Sequence, residues 1–500
     1  MRVFCFFLDF FYFPLLSLKE GEGEGMEETE RRDRRGTIES VPHGQGGGRA
    51  HAVVVGGGFA GASAASALTE AGVAVTLIEE RSSLGGRTCS FKDGATKQDV
   101  DNGQHLFMGA YHDTRTFLKR LRVEGRIKFS KTLRIPFINA EGKKSILQPS
   151  HFSGNLGLLV GLFFFAELKV KDRISLLWGL LRAHFAKPRQ VADLTVSQWL
   201  SYLGQTPGTR RAFWDPLCLS TLNEQPDRAG AGALLTVLRE GLFAGDQERA
   251  LGHPTTSLSR LWSMELGPYL QRAEGQVALR QQATGFQWED KRVTAVEIKN
   301  ESPVTADVFI LATSLSHAAK LSPVPLETSP LEGESQNHSP IVAINLWFKK
   351  MPFDEPMVSF LDMNLQWAFN RAALVGPTAS GLLSTVISAA RAFEGRTSEE
   401  LIALAMGDLR RAFPNFKELP YHASVLWEHQ ATPSPTPLFL RSRPKVDTPF
   451  KNFFLAGDWV DVGLPPTIEA ASRSGHRAAA LALSYLHSEN SGTVKEVSPC

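Results

Sequence analysis

Three glycines and one acid have the clearest chemical purpose in this chain. Gly56, Gly58 and Gly61 follow the pattern Gly-x-Gly-x-x-Gly, and Glu79 lies 23 positions after the first of them. Glycines at that spacing let the chain turn tightly, bring backbone amides close to a pyrophosphate, and pack a helix onto the preceding strand. An acid about 20 residues further on is placed to bind ribose hydroxyls. A Gly-rich turn without chemical purpose would carry the same three glycines. Shortly afterwards come Gly85, Gly86 and Arg87. The glycine pair admits close backbone amides, and the guanidinium adds charge-assisted hydrogen bonds to a phosphate. On those three residues alone, a surface turn with an exposed arginine is an equal reading.

The surrounding elements decide for the first site. His51–Val55 is a short Val-rich run that predicts a buried strand. Residues 60–71 are good helix formers with few charges, Gly72 is a plausible stop, and residues 73–78 predict a second strand ending at Glu79. Strand, glycines, helix, strand and acid in that order argue against a bare turn. The pyrophosphate would rest at the helix N-terminus, where free N–H groups and the dipole favour an anion. Near the other end of the chain, residues 452–456 predict a strand leading into Gly457 and Asp458. Pro465, Pro466 and Thr467 then open a helical pattern over 468–486. Asp458 by itself reads equally as a turn or helix-capping aspartate. A further strand is predicted within 305–313.

Length and composition set the outer limits. Five hundred residues fit two or three domains, and 43% hydrophobic with 21% charged residues is the composition of a globular chain. A net charge of +2 speaks against a strongly basic nucleic-acid protein. The four cysteines, Cys5, Cys89, Cys218 and Cys500, lie far apart without a C-x-x-C, so neither a disulfide scaffold nor a cysteine-held metal is expected. Residues 3–18 are apolar, but Asp9 and Pro14 interrupt them and the run is short for a membrane span. Residues 21–48 are charged and Gly-rich. The first 50 residues are expected to be a disordered extension, or partly a gene-model artefact with translation starting at Met26, ahead of a membrane anchor and then a secretion signal as alternatives. A cytoplasmic protein is expected, with scope for a peripheral position on the inner face of the membrane.

After a dinucleotide unit, a glycine pair followed by arginine resembles the FAD-containing amine oxidase and phytoene desaturase superfamily. The resemblance narrows on longer strings. Asp101-Asn102-Gly103-Gln104-His105, Trp214-Asp215-Pro216-Leu217-Cys218, and Leu455-Ala456-Gly457-Asp458-Trp459 stand in order with Gly463-Leu464-Pro465-Pro466-Thr467-Ile468-Glu469. Together they resemble the hydroxysqualene dehydroxylase family of hopanoid-producing bacteria over roughly residues 51–486. The resemblance implies an α/β fold: a Rossmann-type FAD-binding domain from residues 51–135, 255–325 and 425–486. A discontinuous α+β substrate domain would come from 136–254 and 326–424, with 487–500 as a tail. It implies that Asp458 binds the ribityl–phosphate portion of FAD and that Pro466, Thr467 and Ile468 point a helix N-terminus at the flavin pyrimidine edge. Three features depart from the pattern. Residues 427–432 are less basic than expected, Pro466 replaces an alanine, and the N-terminal extension has no counterpart.

The implied reaction turns hydroxysqualene and reduced FAD into squalene, water and oxidised FAD. The hydroxyl leaves as water only when protonated, so a general acid is required. His105 is the first candidate, since histidine titrates near neutrality, and Asp101 the second. Each has a structural alternative, a turn for Asp101 and a satisfied histidine for His105. An isoprenoid substrate needs an apolar tunnel, to which Trp214, Trp347 and Trp367 are candidates as lining or as core. Residues 156–168 and the partly basic 174–185 read either as a core helix pair or as helices lying in a membrane interface. Two rivals remain: an oxidative carotenoid-type desaturase or amine oxidase, and a prenyl-lipid-binding escort without flavin. No nucleic acid and no metal are expected.

Overall fold

Strand His51–Val55 has four of its five residues buried, and Val308–Leu311 is buried throughout, the pattern of parallel strands covered on both faces. In the computed structural model, which describes residues 49–152, 154–326 and 337–490, these two strands sit side by side. The complete sheet has five strands in the order Gln276–Leu279, Ala74–Glu79, His51–Val55, Val308–Leu311 and Phe453–Leu455. Every neighbouring pair in it is parallel. In-register pairing of Val55 with Ile78 and Leu311, and of Leu311 with Leu455, brings the carboxyl ends to one edge. Ligands bind at that edge in open α/β sheets.

Two helices cover the sheet and meet each other closely. Phe59–Glu70 has no charge before its last residue and is buried from Phe59 to Thr69. Ile468–Asn490 crosses it at Gly475, where a β-carbon would come within 2.1 Å of the Ala60 carbonyl oxygen. This helix runs four residues beyond its expected end at Leu486.

The second sheet has seven strands, in the order His422–Pro433, His338–Trp347, Leu382–Ile387, Trp367–Asn370, Met357–Leu361, Ile135–Asn139 and Lys144–Leu147. It is antiparallel except where Met357–Leu361 runs parallel to Ile135–Asn139. Strand His422–Pro433 pairs in this sheet as far as Pro433. A boundary at residue 425 would therefore cut through a hydrogen-bonded strand. One apolar cluster joins the sheet to helix Ser398–Ala412 through Ile344, Leu383 and Leu409. A second cluster, around Trp199, Trp214 and Phe165, holds the helices between residues 154 and 242.

That helical region contains two π-helical turns, Arg210–Trp214 and Leu238–Leu242. Such turns recur at functional sites, because the extra residue per turn redirects side chains. Its paired helices are Gly154–Phe163 and Val170–Phe185. Among the described residues, no helix is long and apolar enough to cross a membrane. The expectations for residues 1–48 and 491–500 lie outside the described residues.

Candidate active site

The three motif glycines turn out to serve different masters. Gly56 has φ +112°, and a β-carbon there would lie 2.6 Å from the Ala312 carbonyl oxygen. A β-carbon on Gly61 would meet the Gly56 carbonyl oxygen at 1.9 Å. Protein packing demands both residues. Gly58 is different: a β-carbon there would have nothing within 4 Å. Gly58 is also the N-cap of helix Phe59–Glu70, which has no side-chain cap and no acid in its first turn. Unsatisfied amides at a helix start, facing a space kept clear of side chains, suit a phosphate.

The acid and the second glycine pair close this cradle. Glu79 is buried and accepts the Gly57 N–H at 2.7 Å and the Arg81 N–H at 2.9 Å. Gly85 and Gly86 have φ +126° and +57°, and a β-carbon on Gly86 would approach the Gly58 Cα to 3.2 Å. The two glycine motifs thus face each other. Arg87 reaches across to the far end of the sequence, donating to Asp458 Oδ1 at 2.7 Å and to the Ala431 carbonyl at 3.1 Å. Burial works to lower the Arg87 pKa, but the pairing with Asp458 outweighs it and holds the guanidinium above its ordinary value. Gly457, with φ +154°, leaves room for the Trp459 indole, which donates to the Thr313 carbonyl at 2.9 Å. Thr467 Oγ1 accepts the Ala470 N–H at 3.1 Å and so caps helix Ile468–Asn490. Pro465 and Pro466 precede this cap rather than forming the first turn.

Asp101 and His105 lie near Arg87 but are engaged otherwise. Asp101 is buried against the equally buried Arg371, with Oδ2 at 2.7 Å from the guanidinium. Its Oδ1 accepts the Ser90 hydroxyl at 2.6 Å and the Leu258 N–H at 3.0 Å. This carboxylate ties strand Asp99–Asp101 to residues from three other places in the chain. His105 is half-buried, and burial pushes its imidazole below its ordinary value, with Asp101 opposing. Asn102 holds the intervening backbone, its Nδ2 donating to the Arg87 carbonyl at 2.9 Å.

A cavity of about 210 Å³ lies against these elements. Its wall is mostly apolar, with Leu106, Leu133, Phe137, Phe213, Leu217 and Trp367 among the lining residues. Both π-helical turns contribute to it, through Phe213 and through Glu240 to Leu242. Of the three tryptophans considered as lining, only Trp367 is there. Trp214 and Trp347 are fully buried in the core, their indole N–H groups donating to Gln205 and Gln98. Neither Asp101 nor His105 is among the lining residues.

Leu464, Pro465, Thr467, Glu469 and Arg473 also line the cavity. This joins the apolar wall to the start of helix Ile468–Asn490. Glu469 is buried there, accepting the Asp113 N–H at 2.9 Å, the Thr114 N–H at 3.0 Å and the Thr114 hydroxyl at 2.9 Å. Burial and the neighbouring Asp113 charge push its carboxyl up to about 8. Asp113 goes the other way. Burial would raise it, but hydrogen bonds from His476 and Arg473, both at 2.9 Å, win and lower it. Tyr111 also lines the cavity, its phenol held above its ordinary value by burial and by the Glu469 charge. Sequence reading missed Glu469, Asp113, Tyr111 and Arg371 as site residues. The available signal was weak: Glu469 and Arg473 stand four apart on one helix, and nothing local points to partners some 355 residues away.

A relative from Zymomonas mobilis subsp. mobilis, named hydroxysqualene dehydroxylase, is 28% identical, covering 86% of this chain and 99% of that protein. A 15-cis-phytoene desaturase from an Oncidium hybrid cultivar is 23% identical, covering 85% of this chain and 76% of its own length. A solved oxidoreductase from Methanosarcina mazei shares the fold with a TM-score of 0.64 at 14% identity, covering 85% of this chain and 98% of that one. The model of flavin containing amine oxidoreductases matches residues 59–483, a span that runs from helix Phe59–Glu70 through the cavity lining to helix Ile468–Asn490. The chain is therefore an FAD-dependent oxidoreductase and belongs to the flavin containing amine oxidoreductase family.

Proposed function

We propose that this chain removes the hydroxyl of hydroxysqualene reductively, giving squalene and water. One observation carries the reading: a mostly apolar cavity is lined in part by the residues that lead into helix Ile468–Asn490, where the resemblance sets the flavin ring. The relative from Zymomonas mobilis, matched over nearly its whole length, supports the same substrate. Gly58 and Gly86 would hold the FAD phosphates, Glu79 the adenosine ribose, and Arg87 with Asp458 the ribityl–phosphate portion. The amides at Thr467 and Ile468 would face the pyrimidine edge and, as a helix N-terminus, favour negative charge there. When bound in its reduced form, the cofactor supplies a hydride. The protein contributes orientation, an apolar wall that excludes water, and a proton for the departing oxygen.

In this reading the cofactor part comes from residues 51–135, 255–325 and 434–486, and the substrate part from the seven-stranded sheet with the helices between 136 and 254. The exposed face of Val170–Phe185 is the candidate membrane contact. Val170, Ile174, Trp178 and Phe185 are exposed along one stripe, with Lys171, Arg182 and Lys187 exposed beside it. Apolar anchors flanked by basic groups suit an anionic lipid surface.

The test is direct. Protein reduced under anaerobic conditions and mixed with hydroxysqualene is expected to form squalene and one oxidised flavin per product. The oxidative reading has the desaturase relative in its favour. Desaturation of phytoene by the oxidised protein, with no squalene from the alcohol, would replace the first reading with the second.

A further inference from the structure

The leaving oxygen needs a proton inside an apolar cavity, and few lining groups can supply one. Among the lining residues, Arg249 and Arg473 are guanidinium groups, which serve as hydrogen-bond donors and not as proton donors. Glu240 is exposed to solvent. The Tyr111 phenol is too weak an acid, and its surroundings weaken it further. Glu469 is the lining carboxyl that is buried, and it sits beside the start of helix Ile468–Asn490.

Its neighbours explain why it can hold a proton. Glu469 and Asp113 share one guanidinium, Arg473. The closer contact, Nε to Asp113 Oδ2 at 2.9 Å, belongs to Asp113, while Glu469 Oε1 lies 3.5 Å from the other arm. His476 Nδ1 adds a second partner for Asp113 at 2.9 Å. Two neighbouring carboxylates, Glu469 buried and Asp113 part-buried, that share one guanidinium cannot both ionise easily, and the less well paired of them keeps the proton.

The hydrogen bonds permit both protonation states of Glu469. The Thr114 hydroxyl lies 2.9 Å from Glu469 Oε2 and 3.1 Å from Ser472 Oγ. Facing a carboxylate, that hydroxyl donates to Glu469. Facing a carboxylic acid, it accepts from Glu469 and donates to Ser472. A rotation of one hydroxyl hydrogen separates the two states, with no shift of heavy atoms. Arg120 donates to His476 Nε2 at 3.1 Å, so Nδ1 carries the hydrogen and donates to Asp113. Arg120 in turn pairs with the half-exposed Glu70 at 2.8 Å. This polar set leads from the cavity wall toward the surface.

We propose that Glu469 is the acid that protonates the leaving hydroxyl, with the Asp113 carboxylate, which takes the closer contact to Arg473, as the neighbour that keeps it protonated until then. The proposal rests on the dehydroxylation reading. The C–O bond breaks, the oxygen takes the Glu469 proton and leaves as water, and the carbon takes a hydride from reduced FAD. Glu469 is left as a carboxylate and regains its proton from solvent. The position of its titration near neutrality, about 8, agrees with such a role.

The experiment compares hydroxysqualene with its acetate ester, whose leaving group needs no proton. In single turnovers of the reduced wild-type protein, the alcohol rate is expected to fall above about pH 8 while the ester rate stays level. Glu469→Gln should slow the alcohol by about 10²–10⁴-fold and the ester by less than about threefold. Asp113→Asn removes the neighbouring negative charge and should move the alcohol's falling limb to lower pH. Infrared titration of the purified protein should show a protonated-carboxyl band lost near pH 8 and absent from Glu469→Gln. Equal loss with both substrates, or no such band, overturns the assignment of Glu469. If wild type yields squalene from neither substrate, the dehydroxylation reading fails first and the proposal with it, whatever the infrared band shows.

Discussion

At the scale of single residues, the glycine motif separates positions that the fold itself requires to be glycine from one that it leaves open. A β-carbon on Gly61 would stand 1.9 Å from a backbone oxygen that cannot move without moving the first strand's exit. A β-carbon on Gly58 meets nothing, and its backbone, φ −85° and ψ −172°, suits any residue. Gly61→Ala is therefore expected to lose about 3 kcal/mol or more of stability, as severe overpacking does. Gly58→Ala should keep its melting temperature in the absence of FAD and lose at least about tenfold in FAD affinity. Thermal unfolding and flavin fluorescence titration on the two variants check both statements. Equal behaviour of the two would remove the distinction. The motif itself was legible from sequence. Which glycine answers to which constraint was not, because the distance from a missing β-carbon to its neighbour is a tertiary quantity.

At the scale of elements, helix Val170–Phe185 shows how a sequence pattern can hold two meanings. Its buried side carries Leu176, Leu180 and Ala183, and its open side carries Val170, Ile174 and Trp178 at four-residue spacing. Arg182 lies over the Trp178 ring at 5.5 Å, so the exposed aromatic is flanked by a cation. From sequence this run reads equally as a core helix or as a helix lying in a membrane interface, and only its neighbours reveal that one side is bare. The variant Ile174→Glu/Trp178→Glu is expected to unfold like wild type and to bind anionic lipid vesicles at least about tenfold more weakly in co-sedimentation. Unchanged binding would leave this face without a lipid role. The two π-helical turns were not legible at all, since neither Arg210–Trp214 nor Leu238–Leu242 departs from an ordinary helical composition.

At the scale of the whole molecule, ion pairs between distant segments hold the site together. Arg371 follows the strand Trp367–Asn370 of the seven-stranded sheet, and Asp101 ends the short strand Asp99–Asp101. Both side chains are 1% exposed. Removing one member of such a pair leaves a buried charge without its partner. Arg371→Met is expected to lose about 3–5 kcal/mol in urea denaturation. The double variant Asp101→Asn/Arg371→Met should lose less than the two single losses combined. Additive losses would show that the pair is not coupled. The same geometry gives Asp101 an anchoring role, so Asp101→Asn should affect stability more than the rate of a fully folded enzyme.

What the sequence determined by itself was local structure: the strand, glycine turn and helix around Gly56, Gly58 and Gly61, the strand ending at Glu79, and the Gly457 to Ile468 turn into a helix. Each of these is a short run whose backbone conformation and spacing follow from the residues within it. The tertiary structure decided the rest. It set Gly86 against Gly58, paired Arg87 with Asp458, and turned Asp101 toward Arg371. It also brought Glu469, a residue of the cavity lining, to Asp113 and Thr114. A carboxyl's proton affinity depends on how much water it has lost and which charges surround it. Those partners lie hundreds of residues apart, so no periodicity or spacing in the chain could announce them.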